Sequence, residues 1–316
     1  MLTAQQIEHF PVAHLSPSAI RQYLGDRQGF FKRYIRLEFD EKRSPAAVEG
    51  TCAHAIVADY WSAQAEGNAK AFDWKKSMRG RIDHYFSDAN QEYSLIDWGK
   101  TGSEENSRKK VEKMIGFYID ELPDYSPVAV EETLISDFED MKNNTQPIAI
   151  KCVTDLVNHL GKKKIGIVDH KFTSRIKGQD EIAPAFEIQA CANFFAVRKH
   201  FDVNPHSMIF DQIKTSQNRD GSPQRVQYEI VFTPKILNRF IVLYQRIIAE
   251  LSGMPLIDED TGTLAFLPNP DAQFGGEESW LDFCEEVDNQ KQWTMDDIRR
   301  VRKNRYSSEG VEPLDL

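Results

Sequence analysis

The stretch IGIVDHKFTS at residues 165–174 decides the fold. It begins with Ile, Gly, Ile and Val, the composition of a buried strand, and continues directly into Asp169, His170 and Lys171. Residues two apart in a strand point to the same face, so Asp169 and Lys171 share one face. Two interpretations stay open here: a chemical site at the end of a strand, or a surface hairpin in which Asp and Lys alternate with core residues.

A second apolar run, PIAIKCVTDLV at 147–157, precedes this strand and is joined to it by the short loop HLGKKK. The short loop with Gly161 predicts an antiparallel hairpin. Residue 162 lies midway between Asp155 and Asp169, so the two carboxylates are expected to face each other. Facing like charges are destabilising, and buried carboxylates need compensation. Mg²⁺ or Mn²⁺ would supply it, with Lys171 near enough to orient or deprotonate a water or to stabilise charge on a phosphate.

The remaining pattern predicts a mixed α/β fold, with a central mixed sheet flanked by helices. A polar, helical insert is expected at about 65–125, and Asp220-Gly221 predicts the turn of a further hairpin. The predicted strands are 127–138, 147–157 and 164–172, and the predicted helices of the core are 51–66, 184–200 and 234–251.

Composition narrows the function classes. The 316 residues include 41% hydrophobic residues, enough for a sizeable core, and the net charge of −10 argues against a chain that coats nucleic acid by bulk electrostatics. No stretch approaches the roughly 18 apolar residues of a membrane span, and the N-terminus lacks a secretory signal pattern. The four cysteines lie far apart without zinc spacing. We therefore expect a cytoplasmic protein with reduced cysteines and no membrane partner.

Several motifs in order carry a resemblance. The segments LSPSAIRQYL, EGTCAHAIV, VEETL, VTDLV, IGIVDHKFTS and EIQACANFF are similar to the motifs of the PD-(D/E)XK nuclease superfamily, in its RecB-type exonuclease branch. The similarity runs over roughly residues 15–200. The matching positions are Gly50 and His54 for G-x-x-x-H, Glu131 or Glu132 for the first acid, Asp155 for the second, Asp169 and Lys171 for the signature pair, and Gln189 for the glutamine helix.

The resemblance implies roles at those positions. It implies that His54, Asp155, Asp169 and the backbone carbonyl of His170 bind Mg²⁺ or Mn²⁺. Lys171 would position or activate the attacking water, and Gln189 would contact the lysine region or DNA. The expected catalytic set is Asp155, Asp169, Lys171, Gln189 and Glu132, with Glu131 equally able to face the site. The fold implied is a restriction-endonuclease-like core with a helical insert.

Two departures from the family pattern bear on these roles. The family has Tyr four residues after the glutamine, whereas Asn193 stands there in this chain. Iron–sulfur members of the branch carry one cysteine before the histidine helix and three near the C-terminus. Only Cys284 occurs in the terminal segment, so no iron–sulfur cluster is expected.

Basic residues around the hairpin and its exit are candidates for DNA contact. Arg175 and Lys177 follow the strand, and Lys163 lies in the loop, where a solvated turn is an equally good interpretation. Contacts of this kind give salt-dependent, sequence-independent binding.

The resemblance implies a metal-dependent DNA exonuclease of phage-type recombination or repair, acting on linear single- or double-stranded ends in a bacterial or phage-infected cell. It also suggests a single-strand-annealing partner and a homo-oligomer. Two alternatives stay open: a CRISPR-type or repair end-trimming nuclease or endonuclease of the same fold, and a non-catalytic DNA-binding subunit. The expected domains are a nuclease domain at 1–275 and a C-terminal helical extension at 276–316.

Overall fold

The computed structural model describes residues 12–35, 42–88, 90, 93–100, 102–142, 145–161, 164–219 and 224–253. The chain forms two compact units. The first consists of Met1–Phe39, Ile135–Lys151 and Lys235–Leu316, and the second of Asp40–Leu134 and Cys152–Pro234. The expected extension at 276–316, with Cys284, lies outside the described residues.

The described residues form a six-stranded mixed sheet. Its strands are β1 (His14–Leu15), β2 (Pro127–Glu139), β3 (Thr145–His159), β4 (Ile165–Thr173), β5 (Ser207–Lys214) and β6 (Arg225–Val231). Their order is β1-β3-β4-β5-β6, with β2 paired to β3. The β3–β4 and β5–β6 pairs are antiparallel, whereas β1–β3 and β4–β5 are parallel. The predicted mixed sheet flanked by helices is thus confirmed.

The register of the β3–β4 hairpin follows the prediction. Leu156 pairs with Val168 at the end of the paired stretch, and Asp155 and Asp169 are the next residues of the two strands beyond that pair. The connection turns at Gly161, whose φ of 80° lies in the left-handed region that glycine adopts without strain. The predicted turn of the β5–β6 hairpin, Asp220-Gly221, lies outside the described residues.

Helices precede, interrupt and follow the sheet. In chain order they are α1 (Pro17–Gly25), α2 (Arg27–Phe30), a π-helical turn (Phe31–Ile35), α3 (Pro45–Ala65), α4 (Trp74–Tyr85), α5 (Glu104–Asp120), α6 (Gln179–Phe201) and α7 (Pro234–Gly253). Among the described residues, none of these helices combines the length and apolar character needed to cross a membrane. The helical insert expected at about 65–125 corresponds to α4, α5 and two short 3₁₀ turns.

Two helices begin earlier than their apolar pattern predicts. Helix α3 begins at Pro45 rather than 51, because the Ser44 side chain accepts the Ala47 N–H and Pro45 suits the first turn. Helix α6 begins at Gln179 rather than Pro184, because the Glu181 carboxylate accepts the Gly178 N–H at 2.9 Å and holds the first turn. Both helices therefore begin with a polar capped turn that precedes the apolar pattern from which each helix was predicted.

The core of the second unit packs α3 against α5. Cys52, Ile56 and Trp61 of α3 join Met114 and Tyr118 of α5 in one cluster of buried side chains. His54 follows buried Ala53 and is half-buried, so its ring stands at the margin of this core. Packing of α3 on α5 thus fixes the position of the polar His54 ring at the edge of the core.

In the first unit, Phe138 of β2 packs on Tyr244 of α7, with ring centroids 4.2 Å apart. We predict that Phe138→Ala lowers the free energy of unfolding by about 3–5 kcal/mol, because truncation of a fully buried ring leaves a cavity. Ile135→Ala on the same strand is the control, since that side chain is 36% exposed and should cost much less. Urea unfolding of the two variants measures the difference, and equal losses would contradict the packing.

Candidate metal centre

Three side chains from different elements of the second unit bring donor atoms together. His54 of α3, Glu131 of β2 and Asp155 of β3 each offer one ligand atom, and these atoms all lie within 4.8 Å of one another. His54 Nδ1 lies 3.2 Å from Asp155 Oδ2. Nitrogen and carboxylate oxygen donors of this kind suit Mn²⁺, and carboxylate oxygens suit Mg²⁺.

The backbone of Glu131 is unusual. Its φ of 49° lies in the left-handed region, which residues other than glycine seldom adopt. Such a conformation costs on the order of 1–3 kcal/mol and persists only where the surroundings enforce it. The regular alternation of β2 is therefore interrupted at the residue that joins the donor group.

Asp155 is held in its charged form. The backbone N–H of His170 donates to Asp155 Oδ2 at 2.7 Å, and the His54 ring lies beside the same oxygen. Burial alone would raise the pKa of Asp155, but the charge of His54 and these N–H contacts outweigh burial and lower the pKa. Burial alone would lower the pKa of the His54 ring, but the charge of Asp155, its hydrogen bond to the ring and the charge of Asp169 together outweigh burial and raise that pKa.

Asp169 lies next to this group with Lys171 and Gln189. Gln189 Nε2 donates to Asp169 Oδ1 at 2.6 Å, and Lys171 Nζ lies 2.6 Å from Asp169 Oδ2. The ammonium group of Lys171 is thus the charged partner of this buried carboxylate oxygen. Burial and the charge of Asp155 raise the pKa of Asp169, although Lys171 opposes them.

The electrostatics and donors of the group fit a divalent cation. Although Glu131 is exposed as a residue, its carboxyl group faces the other donors, and burial followed by the charge of Asp155 raises its pKa to about 7. Clustered carboxylates of this kind are costly without a counter-charge. The converging donor atoms of His54, Glu131 and Asp155 are consistent with a cation held here.

The sequence predictions for the site can be compared residue by residue. His54 and Asp155 lie in the donor group, but the adjacent glutamate that joins them is Glu131 rather than the preferred Glu132. Asp169 contacts Lys171 and Gln189 and is not in that group. The role of the His170 carbonyl as a ligand stays a prediction.

The predicted DNA contacts lie after β4. Arg175 forms an ion pair with Glu181, and its side chain is 68% exposed. The backbone of Lys177 is held by Gln212, which accepts from its N–H at 2.8 Å and donates to its carbonyl at 3.0 Å. Lys163 lies outside the described residues.

Three further residues make contacts near the site without a role assigned from the sequence motifs. Asn193 stands where the family pattern has tyrosine; its side chain donates to the Gln189 carbonyl and accepts from the Thr154 hydroxyl at 2.9 Å each. Tyr118 of α5 contacts His170 Nε2 at 3.1 Å. Asp211, a charged residue within the apolar run MIFDQI, offered a signal; it is fully buried and paired with Arg225.

The family comparison identifies the fold around this group. A sequence model of the PD-(D/E)XK nuclease superfamily matches residues 14–304. The chain belongs to this superfamily. The RecB-type motif order noted in the sequence thus lies in a chain of the same superfamily, as predicted.

Solved structures similar to this PD-(D/E)XK chain are distant in sequence. A protein of Eubacterium rectale, described as a candidate exonuclease, is 10% identical with a TM-score of 0.42, over 93% of this chain and 95% of that one. The alkaline exonuclease of Laribacter hongkongensis is 10% identical with a TM-score of 0.29, over 67% of this chain and 88% of that one. A search of curated proteins gave no match.

The adjacent glutamates give a matched pair of variants for this PD-(D/E)XK site. Glu131→Gln should weaken Mn²⁺ binding by about tenfold or more, because a unit charge at about 4 Å contributes several kcal/mol even at an effective dielectric constant of about 20. Glu132→Gln removes the same charge one residue along and should leave the affinity unchanged. Isothermal calorimetry measures both affinities. A larger loss for Glu132→Gln would reverse the assignment of the two glutamates.

Metal binding should also release protons near pH 7. Since the pKa of Glu131 is raised to about 7 in the metal-free protein, part of the population carries a proton that a cation must displace. Calorimetry in two buffers with different ionisation enthalpies measures the number of protons released. Glu131→Gln should release fewer, and an equal number from both proteins would exclude Glu131 as the source.

Proposed function

We propose that this PD-(D/E)XK chain is a Mg²⁺- or Mn²⁺-dependent deoxyribonuclease that hydrolyses phosphodiester bonds at the ends of linear DNA. The observation that carries the proposal is the approach of His54, Glu131 and Asp155 donor atoms to within 4.8 Å of one another, beside the Asp169–Lys171 ion pair. Membership of the nuclease superfamily supports hydrolysis as the reaction.

The proposal assigns cation binding to His54, Glu131 and Asp155, with Asp169 and the His170 carbonyl as further ligands by family resemblance. A bound divalent cation would lower the pKa of a coordinated water and neutralise charge that develops on the phosphate. Both Mg²⁺ and Mn²⁺ are proposed as the bound cation, because the donor residues combine carboxylates with one imidazole.

The proposal assigns Lys171 to contact with the reacting water or with the phosphate. Its ammonium group lies against Asp169, but 28% of its side chain is exposed whereas Asp169 is buried, so it can also contact substrate. The Phe186 ring lies 5.4 Å from Nζ and limits its positions. A charged ammonium held in this way orients a water or stabilises negative charge in the transition state.

Gln189 is assigned a positioning role. Its amide donates to Asp169 Oδ1 at 2.6 Å, which leaves the other carboxylate oxygen directed at Lys171. Asn193 secures the same helix by its hydrogen bond to the Gln189 carbonyl and by accepting from Thr154, next to Asp155 in β3.

DNA contact is proposed for Arg175, Lys177 and Lys163. The net charge of −10 means that such contact has to be local. Arg175 would exchange Glu181 for a phosphate, and this exchange makes binding salt-dependent and independent of sequence.

The biological setting is part of the proposal and rests on family resemblance. It comprises phage-type recombination or repair in the cytoplasm of a bacterial or phage-infected cell, a single-strand-annealing partner and a homo-oligomer. A nuclease domain at 1–275 with a C-terminal extension at 276–316 is proposed on the same basis. An end-trimming nuclease, an endonuclease and a DNA-binding subunit are the outcomes that the following experiment separates.

We predict that the protein, with Mg²⁺ or Mn²⁺, degrades end-labelled linear DNA and spares closed circles. EDTA should stop the reaction. Lys171→Ala should abolish cleavage while it keeps Mn²⁺ affinity, because the ammonium group is not a ligand. Gel analysis of linear duplex, linear single strand and closed circle measures the activity, and Lys113→Ala, an exposed lysine of α5, is the control.

Each contrary outcome has its own meaning. Cleavage of closed circles would identify an endonuclease. Retained turnover by Lys171→Ala would remove the lysine from the mechanism. A folded wild-type protein that binds DNA and cleaves no substrate would be a binding subunit.

A further inference from the structure

The second unit contains an open cleft of about 630 Å³ between the C-terminal part of α3 and helix α4. This volume lies within the range of about 300–1,000 Å³ that is usual for ligand sites. Three small residues leave the space: Ala63 of α3, Ala71 of the connecting 3₁₀ turn and Gly80 of α4. A Cβ atom added at Gly80 would meet nothing within 4 Å. The described residues therefore do not require a glycine there for packing, and its effect is to leave α4 open to a ligand.

One wall of the cleft is aromatic. Phe72 lines the cleft and is half-buried, and its ring centroid lies 5.5 Å from that of Tyr60 and 5.1 Å from that of Trp74. Tyr60 and Trp74 stack on each other at 4.6 Å and pack against the buried core, whereas within the described part of the chain Phe72 does not join that core. Phe72 is thus supported by two rings and adjoins open space.

The exposed face of α4 beside this wall is basic. Lys75, Lys76 and Arg79 are all exposed, and Arg79 lies four and three residues after the two lysines, so the side chains share one face of the helix. Among the described residues, no carboxylate forms an ion pair with any of the three. In a chain of net charge −10, this local concentration of unpaired positive charge suits a ligand with several phosphates.

The acidic residues that line the cleft are engaged with donors of α4. Asp59 accepts from Arg81 Nε at 3.0 Å and from the Ser77 hydroxyl at 2.7 Å. Asp73 accepts the Lys76 backbone N–H at 3.0 Å and caps the helix. The Arg81 side chain is nevertheless 41% exposed, so part of its guanidinium group is accessible to a ligand. The two carboxylates therefore do not cancel the positive charge of Lys75, Lys76 and Arg79.

The aromatic wall lies close to the metal centre. The ring centroids of Trp74 and Tyr118 are 6.5 Å apart, and those of Tyr118 and His170 are 5.5 Å apart. Two ring-to-ring steps thus connect the wall of the cleft to β4. Since a stacked nucleotide spans about 3.4 Å along its strand, about three or four nucleotides would separate the wall from the centre.

We propose that this cleft binds single-stranded DNA a few nucleotides away from the metal centre. One base stacks on Phe72, and neighbouring phosphates contact Lys75, Lys76 and Arg79. The ligand is a single strand because stacking on a side chain needs a base whose face is free, whereas the bases of a duplex are stacked on one another. The proposal rests on the proposed function for the identity of the polymer as DNA, and it adds the form of DNA that the protein holds.

Binding is measured by fluorescence anisotropy with labelled oligo(dT) and with a duplex of equal length, in EDTA so that no cleavage occurs. Phe72→Ala should weaken binding of the single strand about 5- to 100-fold, the effect of losing one base stack, and should affect the duplex much less. Phe72→Tyr should bind like the wild type, because it keeps an aromatic ring. Phe232→Ala is the control, since it truncates another half-buried phenylalanine, at the end of β6.

Two results of this measurement would overturn the proposal. The first is an affinity of Phe72→Ala for oligo(dT) equal to that of the wild type or of Phe232→Ala. The second is an equal loss for single strand and duplex, which would indicate a surface for duplex DNA.

Gly80→Leu separates binding from folding. Leucine would occupy the cleft, and it favours a helix more than glycine does, so the thermal midpoint should stay the same or rise. The affinity for oligo(dT) should nevertheless fall at least about fivefold, as expected when a base can no longer stack. An unchanged affinity in this variant would contradict binding in the cleft.

The basic face is tested through the salt dependence of binding. Changing Lys75, Lys76 and Arg79 together to Gln should reduce the slope of log K against log salt concentration by about 2, since each phosphate contact of a single strand contributes about 0.7. The control protein carries Gln at the exposed positions Lys113, Lys235 and Arg246 and has the same net charge. Equal slopes in the two triple variants would exclude contact of α4 with phosphates.

Cleavage assays decide the proposed function separately. A wild type that cleaves no DNA, but whose binding of oligo(dT) depends on Phe72 and Gly80, would refute the nuclease and support the cleft. A wild type that cleaves linear DNA, but whose binding is unaffected by the Phe72 and Gly80 variants, would support the nuclease and refute the cleft.

Discussion

Two carboxylates that face each other across a buried hairpin constrain the structure of the second unit. Asp155 and Asp169 directly follow the Leu156–Val168 pair of the hairpin, and neither side chain is surrounded by water. Their repulsion is balanced by His54 on one side and by Lys171 with Gln189 on the other. Helices α3 and α6, which supply His54 and Gln189, are held to the hairpin by these polar contacts as well as by apolar packing.

Much of this arrangement could be predicted from the sequence. A short glycine-containing loop sets the register of a hairpin, so the opposition of Asp155 and Asp169 followed from counting residues. The ends of helices were less accurate, because α3 and α6 are extended by polar caps at Ser44 and Glu181 that carry no apolar periodicity. The assignment of each segment as strand or helix was correct, because the spacing of apolar residues over a long segment depends little on its capping residues.

The choice between Glu131 and Glu132 and the contact of Tyr118 with His170 could not be predicted. Adjacent strand residues point to opposite faces, and the left-handed backbone of Glu131 breaks the alternation on which any choice would rest. Tyr118 is separated from His170 by 52 residues and lies in a polar helix without a motif. Contacts of this range depend on how α3 and α5 pack, which local patterns do not encode.

The side-chain amide of Gln212 connects the backbone of Lys177 to the strand next to β4. Gln212 pairs in register with Lys171 on the neighbouring strand. Its side chain accepts a hydrogen bond from the Lys177 N–H and donates one to the Lys177 carbonyl. A phosphate held at Lys177 would therefore be connected, through one side chain of β5, to the position beside Lys171. The distance between that phosphate contact and Lys171 would then be set by the sheet.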